Sequence, residues 1–199
     1  STNFAIMKPK KKLFLDLDGV VVDWLGGSME VCGLTDKEPA AWAHLKAGNK
    51  IDSLIPGGRS VLTAKVNEMG PAFWQNLKFL PWGHQLINRL TVEFQATHDF
   101  AFLTSPGPFP LAAQGKLAWL MDHYPNRKMI ICRSKELCAH PNAFLVDDAD
   151  YQIEPFIQDG GCGFLWPNQY VLRDDADINA ADKAIDRCVN TIKLVHGCL

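Results

Sequence analysis

The sequence predicts an α/β domain with a Rossmann-like, doubly wound parallel sheet and a small helical insertion after the first strand. Short continuous apolar runs recur along the chain, and segments with helical periodicity lie between them. About 55 residues separate the first two runs, which is more than a crossover connection requires. The 199 residues are enough for one domain of this kind with a small insertion.

Five apolar runs are predicted to be strands that are buried on both faces of the sheet. These runs are Lys12–Asp16, Phe100–Thr104, Lys128–Cys132, Ala143–Asp147 and Gly163–Trp166. Helical periodicity predicts helices over Trp82–Phe94, Leu111–Tyr124, Tyr151–Gln158 and Ile178–His196. Alternation of strands and helices is typical of a parallel sheet with right-handed crossovers.

The interval after the first strand contains helix-compatible stretches that are separated by glycine and proline, and it contains no convincing strand. We therefore expect residues 24–79 to form a mostly helical insertion over the strand ends. Residues 7–23 and 80–199 are expected to form the sheet domain.

Composition and charge exclude several classes of protein. An apolar content of 47% excludes a disordered chain, and a formal charge of −2 with one short lysine run argues against a duplex nucleic-acid surface. No apolar stretch approaches the roughly 20 residues of a membrane-spanning helix. The six cysteines lack zinc-site spacing and are too sparse for a disulfide scaffold, so we expect a soluble cytoplasmic protein.

Polar side chains follow four of the predicted strands, at the edge where a parallel sheet binds ligands. They are Asp16 and Asp18, Thr104 and Ser105, Arg133 and Lys135, and Asp147 and Asp148, in strand order. Clustered carboxylates repel one another unless a cation lies among them, and an oxygen-only ligand set suits Mg²⁺. A lysine and two hydroxyl groups at the same edge would bind a dianionic phosphate. The pattern therefore predicts phosphoryl transfer.

The two carboxylates after the first strand suit two different roles. Asp16 ends the strand and can be held rigidly for attack on phosphorus, which would form an aspartyl-phosphate. Asp18 lies beyond the strand, at the turn that Gly19 allows, and can protonate the leaving oxygen and then deprotonate the attacking water.

The lysine and the hydroxyl groups each have an alternative interpretation. Lys135 follows a strand, whereas Lys128 opens one and Lys116 lies within a predicted helix beside the sheet, so Lys135 is the preferred phosphate ligand. Thr104 and Ser105 could instead cap the helix that is predicted from Leu111.

The polar segments resemble the four motifs of the haloacid dehalogenase superfamily of phosphatases. The matching segments are Asp16-Leu17-Asp18-Gly19-Val20, Leu103-Thr104-Ser105-Pro106, Arg133-Ser134-Lys135 and Val146-Asp147-Asp148. Within that superfamily the chain is similar to the 5′(3′)-deoxyribonucleotidases, which carry a Thr-Ser-Pro second motif and an Arg-x-Lys segment after the third strand. The similarity extends from about Leu13 to Asn168 and includes Phe73-Trp74 and Trp166-Pro167-Asn168-Gln169.

The resemblance implies Mg²⁺-dependent hydrolysis of (deoxy)nucleoside monophosphates through an aspartyl-phosphate. The implied roles are Asp16 as nucleophile, Asp18 as acid/base, Thr104, Ser105 and Lys135 as phosphate ligands, and Asp16, Asp18, Asp148 and Asp147 around the metal, Asp147 either directly or through water. It also implies a helical cap over the nucleoside, with Trp24 as the candidate to stack on the base. Further candidates for the substrate pocket are Trp42, Phe73, Trp74 and Arg133.

Two positions depart from the family pattern: Ser134 stands where relatives commonly have Asp, and Ala149 stands where an Arg often follows the paired aspartates. The base and the sugar are therefore left open. The sequence also leaves open the choice between 5′ and 3′ esters and the oligomeric state, including a homodimer. The alternatives are a polynucleotide 3′-phosphatase, a phosphatase of small metabolites, and a non-catalytic nucleotide-binding protein. A binding protein has no need of a nucleophile paired with an acid.

Overall fold

The computed structural model describes residues 8–35, 38–47, 50–173 and 177–197, with only the backbone described at residues 38 and 39. The outermost positions of the expected sheet domain, residue 7 and residues 198–199, lie outside these ranges.

Five parallel strands form one sheet in the order β3-β2-β1-β4-β5. Their bounds are β1 Lys11–Leu15, β2 His98–Thr104, β3 Lys128–Ile131, β4 Ala143–Asp147 and β5 Cys162–Leu165. Each corresponds to one of the predicted strands, so the predicted α/β fold class is confirmed. The central strand β1 is flanked by β2 and β4, with Leu13 in register with Phe100 on one side and Phe144 on the other.

Nine α-helices lie within the described residues. Their bounds are α1 Trp24–Val31, α2 Glu38–Lys46, α3 Gly58–Met69, α4 Pro71–Gln75, α5 Gly83–Phe94, α6 Ala112–His123, α7 Asp150–Gln158, α8 Gln169–Leu172 and α9 Ala180–His196. The four helices predicted between and after the strands correspond to α5, α6, α7 and α9. In α5, for example, Leu86, Leu90 and Phe94 recur every four residues and are buried against the sheet side, as an amphipathic helix requires.

Residues 24–79, which we call the cap, contain α1 to α4 and a short 3₁₀ helix at Ile51–Leu54. Helix α4 packs along α6 of the sheet domain, and Gly115 makes this close approach possible. A Cβ atom at Gly115 would lie 2.3 Å from the carbonyl oxygen of Pro71. Among the described residues, no helix combines the length and apolarity that crossing a membrane requires.

Candidate active site

A buried lysine lies between two buried carboxylates at the carboxyl edge of the sheet. Asp16 follows β1 and Asp147 ends β4, the strand beside it, while Lys135 begins a 3₁₀ helix after β3. The Lys135 Nζ atom donates to Asp16 Oδ1 at 2.7 Å and to Asp147 Oδ2 at 2.6 Å. Lys135 and Asp147 are each 1% exposed, so water does little to stabilise their charges and the groups depend on one another.

A third carboxylate completes an acidic cluster. Asp148 contributes an oxygen that lies with one oxygen each of Asp16 and Asp147 inside a 4.8 Å span. Gly19 gives Asp148 the space that it occupies: a Cβ atom at Gly19 would lie 2.2 Å from Asp148 Oδ2, and the Gly19 φ angle of 79° also favours glycine. The position of Gly19 therefore explains why this motif contains glycine.

The carboxylates of this cluster are short of positive charge. Burial and the Asp16 charge raise the pKa of Asp147 to about 7, although Lys135 opposes the rise. Burial and the Asp16 charge also raise the pKa of Asp148 well above its ordinary value. Burial lowers the pKa of Lys135, but the Asp16 and Asp147 carboxylates outweigh this effect and raise the pKa overall. A divalent cation bound by these oxygens would supply the missing charge, and an all-oxygen donor set suits Mg²⁺.

A second buried lysine, which the sequence analysis set aside, reaches the same edge. Lys116 of α6 is 2% exposed, and its Nζ atom donates to Asp18 Oδ2 at 2.6 Å and to Thr104 Oγ1 at 2.8 Å. Its Nζ atom also lies 5.0 Å from the centre of the Trp74 ring in the cap. Lys135 is thus the lysine beside Asp16, and Lys116, which was not among the predicted site residues, is the lysine beside Asp18.

The spacing of α6 contains the signal that could have identified Lys116. The buried face of this helix includes Ala112, Lys116, Trp119 and Leu120, which recur at three- and four-residue intervals. A lysine at such a position has a buried amine, and a buried amine requires a polar partner. Its carboxylate partner, Asp18, lies 98 positions earlier in the sequence, so the pairing itself could not be predicted from local pattern.

The two hydroxyl groups after β2 have different surroundings. Thr104 is completely buried and accepts the Lys116 hydrogen bond. Ser105 lines the cavity described below, and its Oγ atom accepts a hydrogen bond from Gly107 N at 3.1 Å. The N-cap residue of α6 is Leu111, so neither hydroxyl group caps that helix.

A cavity of about 1080 Å³ lies between the carboxyl edge and the cap. Its lining includes the predicted residues Asp16, Asp18, Trp24, Trp74, Ser105, Arg133, Lys135, Asp147 and Asp148. Three predicted residues do not line it: Thr104, Trp42 and Phe73. The guanidinium group of Arg173 lies 5.1 Å above the Trp42 ring, and Phe73 packs edge-on against Trp74 with 5.1 Å between ring centres.

Comparison with known proteins gave relatives in sequence and in structure, although no family model matches the chain. The chain is 24% identical over 169 residues to proteins named "Putative 5′(3′)-deoxyribonucleotidase" from Staphylococcus aureus strains MSSA476 and MW2, covering 83% of this chain and 87% of each relative. A haloacid dehalogenase-like family hydrolase from Xanthomonas campestris superposes with a TM-score of 0.48 at 14% identity, covering 92% of this chain and 98% of that chain. A hydrolase from Pseudomonas syringae gives a TM-score of 0.46 at 16% identity, covering 87% of this chain and 89% of that chain.

The curated relatives match most of this chain and most of their own length. The resemblance that the four motifs indicate is thus confirmed: the chain is similar in sequence to proteins named "Putative 5′(3′)-deoxyribonucleotidase".

Proposed function

We propose that the protein is a Mg²⁺-dependent phosphomonoesterase that hydrolyses (deoxy)nucleoside monophosphates to a nucleoside and phosphate. The observation that carries this proposal is the group formed by Asp16, Lys135, Asp147 and Asp148 at the floor of a large cavity. The group combines a carboxylate nucleophile, a cation that can neutralise phosphate and an oxygen set that can hold a divalent ion.

Asp16 is the proposed nucleophile. Its neighbour Lys135 holds Oδ1 at 2.7 Å, and we assign the attack on phosphorus to Oδ2. A bond forms between this oxygen and phosphorus while the bond from phosphorus to the ester oxygen breaks. Because Asp16 is 93% buried at the end of a central strand, its carboxylate needs little reorganisation before it attacks.

Asp18 is the proposed general acid and base. It donates a proton to the departing ester oxygen, and it later removes a proton from the water that attacks the aspartyl-phosphate and releases phosphate. Burial raises the pKa of Asp18 although Lys116 opposes the rise, and a raised pKa favours the protonated form that the first step requires. Lys116 holds only Oδ2, and Oδ1 is buried without a hydrogen-bond partner among the described residues.

Mg²⁺ would be held by Asp16, Asp147 and Asp148, with the backbone carbonyl of Asp18, and would supply positive charge that lowers repulsion between these carboxylates and a phosphate. Lys135 adds a fixed positive charge beside the nucleophile, and Ser105 offers a hydroxyl group to a phosphate oxygen. Thr104 contributes by fixing Lys116 instead of facing the cavity.

The cavity supports a nucleotide as substrate. Its volume of about 1080 Å³ leaves ample room for a nucleoside monophosphate, since ligand sites commonly measure about 300–1,000 Å³. Trp24 and Trp74 provide aromatic surface for a base. The curated relatives' name is consistent with this class of substrate.

Phosphate release from a panel of substrates tests the proposal. The panel contains 5′ and 3′ monophosphates of ribo- and deoxyribonucleosides, a sugar phosphate, and an oligonucleotide with a 3′ phosphate, each with and without Mg²⁺. We expect Mg²⁺-dependent release from nucleoside monophosphates and at least about 10³-fold less with Asp16→Asn. If the oligonucleotide or the sugar phosphate were the preferred substrate, the protein would be a polynucleotide 3′-phosphatase or a phosphatase of small metabolites instead. Phosphate release no greater than that of Asp16→Asn would contradict catalysis.

The homodimer and the cytoplasmic location stay predictions. Sedimentation analysis of the purified protein and fractionation of the source cells would check them.

A further inference from the structure

The two chain segments that join the cap to the sheet domain run beside each other. Val22 pairs with Phe79 in an antiparallel bridge, Asp23 N donates to Lys78 O at 2.8 Å, and Leu80 N donates to Val21 O at 2.9 Å. A rotation of the cap relative to the sheet must change backbone angles in this short double connection, which we call the hinge.

A carboxylate in the hinge receives hydrogen bonds from three donors. Asp23 caps the N-terminus of α1, because its Oδ1 atom accepts from Gly26 N at 2.8 Å. Oδ1 also accepts from Gln169 Nε2 at 2.9 Å, and Oδ2 accepts from Arg173 Nη2 at 3.2 Å. The Asp23 side chain is 15% exposed, so these bonds form largely away from water.

The two side-chain donors come from the sheet domain. Gln169 begins α8, which follows β5, and Arg173 is the C-cap residue directly after this helix, and both side chains reach Asp23. Arg173 also reaches the cap directly, with its guanidinium carbon 5.1 Å from the centre of the Trp42 ring of α2. Helix α8 thus contacts both the hinge and a cap helix through Gln169 and Arg173.

We propose that Gln169 and Arg173 are positioning residues that hold the cap over the catalytic edge through Asp23 and Trp42, and thereby set the affinity for substrate. Gln169 lines the cavity, and Trp24, the next residue after Asp23, lines it too. Holding Asp23 fixes the start of α1 and hence the position of Trp24. The effect on affinity rests on the proposed function, whereas the effect on the cap does not.

A population argument gives the expected size of the effect. If substrate binds only to molecules with the cap in place, the apparent dissociation constant rises in proportion as that population falls. Turnover at saturating substrate changes little, because bound substrate selects the molecules with the cap in place. Loss of the two α8 donors should therefore change KM and leave kcat nearly unaltered.

The main test compares Gln169→Leu combined with Arg173→Met against the unaltered protein. Both substitutions leave Asp23 and its N-cap bond to Gly26 in place. We expect KM for the best nucleotide of the panel to rise about tenfold and kcat to change less than about twofold. Arg89→Met is the matched control, because Arg89 pairs with Asp186 at 3.0 Å between α5 and α9, away from the cavity. The KM of the Arg89→Met protein should equal that of the unaltered protein.

Hydrogen exchange of the same proteins, measured without substrate, separates this inference from the proposed function. We expect backbone amides of α1 and α2 to exchange about tenfold faster in the double variant, with amides of β1, β2 and β4 unchanged. Unchanged exchange in α1 and α2, or faster exchange throughout the protein, would overturn the inference even if no nucleotide were hydrolysed. A fall in kcat with unaltered KM would also overturn it.

Asp23→Asn gives a second variant if the double variant does not fold. Asparagine is also a good N-cap residue, so the start of α1 is retained while the ion pair with Arg173 is lost. A rise in KM of about threefold and faster exchange in α2 are expected. An Asp23→Asn protein that matches the unaltered protein in both measurements would contradict the inference.

Discussion

The two edges of the sheet bury ionisable groups in different ways. At the carboxyl edge, Lys135 joins Asp16 and Asp147 through hydrogen bonds below 2.8 Å, and a cavity opens above them. At the amino edge, His98 and His196 are 2% and 5% exposed, stack with 5.1 Å between ring centres, and share a hydrogen bond of 2.8 Å between His98 Nε2 and His196 Nδ1.

The difference shows which buried groups are suited to chemistry. Burial lowers the pKa of His98 to about 4 and also lowers the pKa of His196, so the pair stays neutral at neutral pH. Burial raises the pKa of Asp147 to about 7, beside a lysine that stays charged. Buried charge with too few counter-ions and an opening to solvent is typical of a functional site, whereas a neutral buried pair contributes to packing.

Among the substitutions proposed at the two edges of the sheet, Lys135→Met should lower activity the most. The variant leaves two buried carboxylates without their cation and removes a positive charge from the phosphate site, so we expect kcat/KM to fall about 10³-fold. Lys128→Met, at the exposed start of β3, is the control and should stay within about twofold. Retention of more than a tenth of the activity by Lys135→Met would contradict the assigned role.

The buried His98 at the amino edge should make the free energy of unfolding depend on pH. The pKa of His98 is about 4 in the folded protein and near 6.5 when unfolded, so the unfolded chain binds the extra proton as pH falls through this interval. The contribution of His98 is complete above about pH 6.5 and decreases toward pH 4, by roughly 3 kcal/mol. Asp147 acts in the opposite direction, because its raised pKa makes the folded protein bind the proton between about pH 7 and pH 4.

The two contributions can be separated by comparing the unaltered protein with His98→Leu. Urea unfolding at pH 7 and pH 4.5 gives the change in free energy of unfolding for each protein, and the contribution of Asp147 is common to both. We expect the change on acidification to differ by roughly 2.4 kcal/mol between them, with the unaltered protein losing more. Equal changes would show that His98 titrates normally in the folded state.

Lys116→Met should have a smaller effect than Lys135→Met, because Lys116 acts through Asp18. Proton donation to the leaving oxygen matters for a nucleoside and matters little for a good leaving group such as p-nitrophenolate. We expect kcat/KM, which reports the step in which the leaving group departs, to fall about 30-fold for a nucleotide and less than about threefold for p-nitrophenyl phosphate. Equal losses for the two substrates would mean that Lys116 contributes to phosphate binding instead.

Lys12→Met should have the smallest effect. Lys12 pairs with Asp99 at 2.5 Å near the amino edge, and both side chains are about one-third exposed, so water screens the pair. We expect a loss below about 1 kcal/mol in the free energy of unfolding and no change in activity. A loss of free energy of unfolding as large as that expected for a buried ion pair would contradict the view that this exposed pair contributes little to stability.

The strands were predictable because a buried parallel strand is a local pattern, and the residues that end β1 and β4 are placed by the strands themselves. Asp16 and Asp147 lie side by side for that reason, and Lys135 follows β3 at the same edge of the sheet. The surroundings of Thr104 depend instead on how α6 packs on the sheet, and those of Trp42 depend on α8, which lies more than a hundred residues later. Such contacts join distant segments, so no local pattern indicates them.

Gly115 determines where the cap could be exchanged between this protein and a relative. Its missing side chain lets α4 lie against α6, so this last cap helix is attached to the body of the sheet domain even though it belongs to the inserted sequence. Trp74, which lies over Lys116, is carried by the same helix. A chimaera joined at Gly70, and not at residue 79, would keep Trp74 next to Lys116 while replacing the rest of the cap.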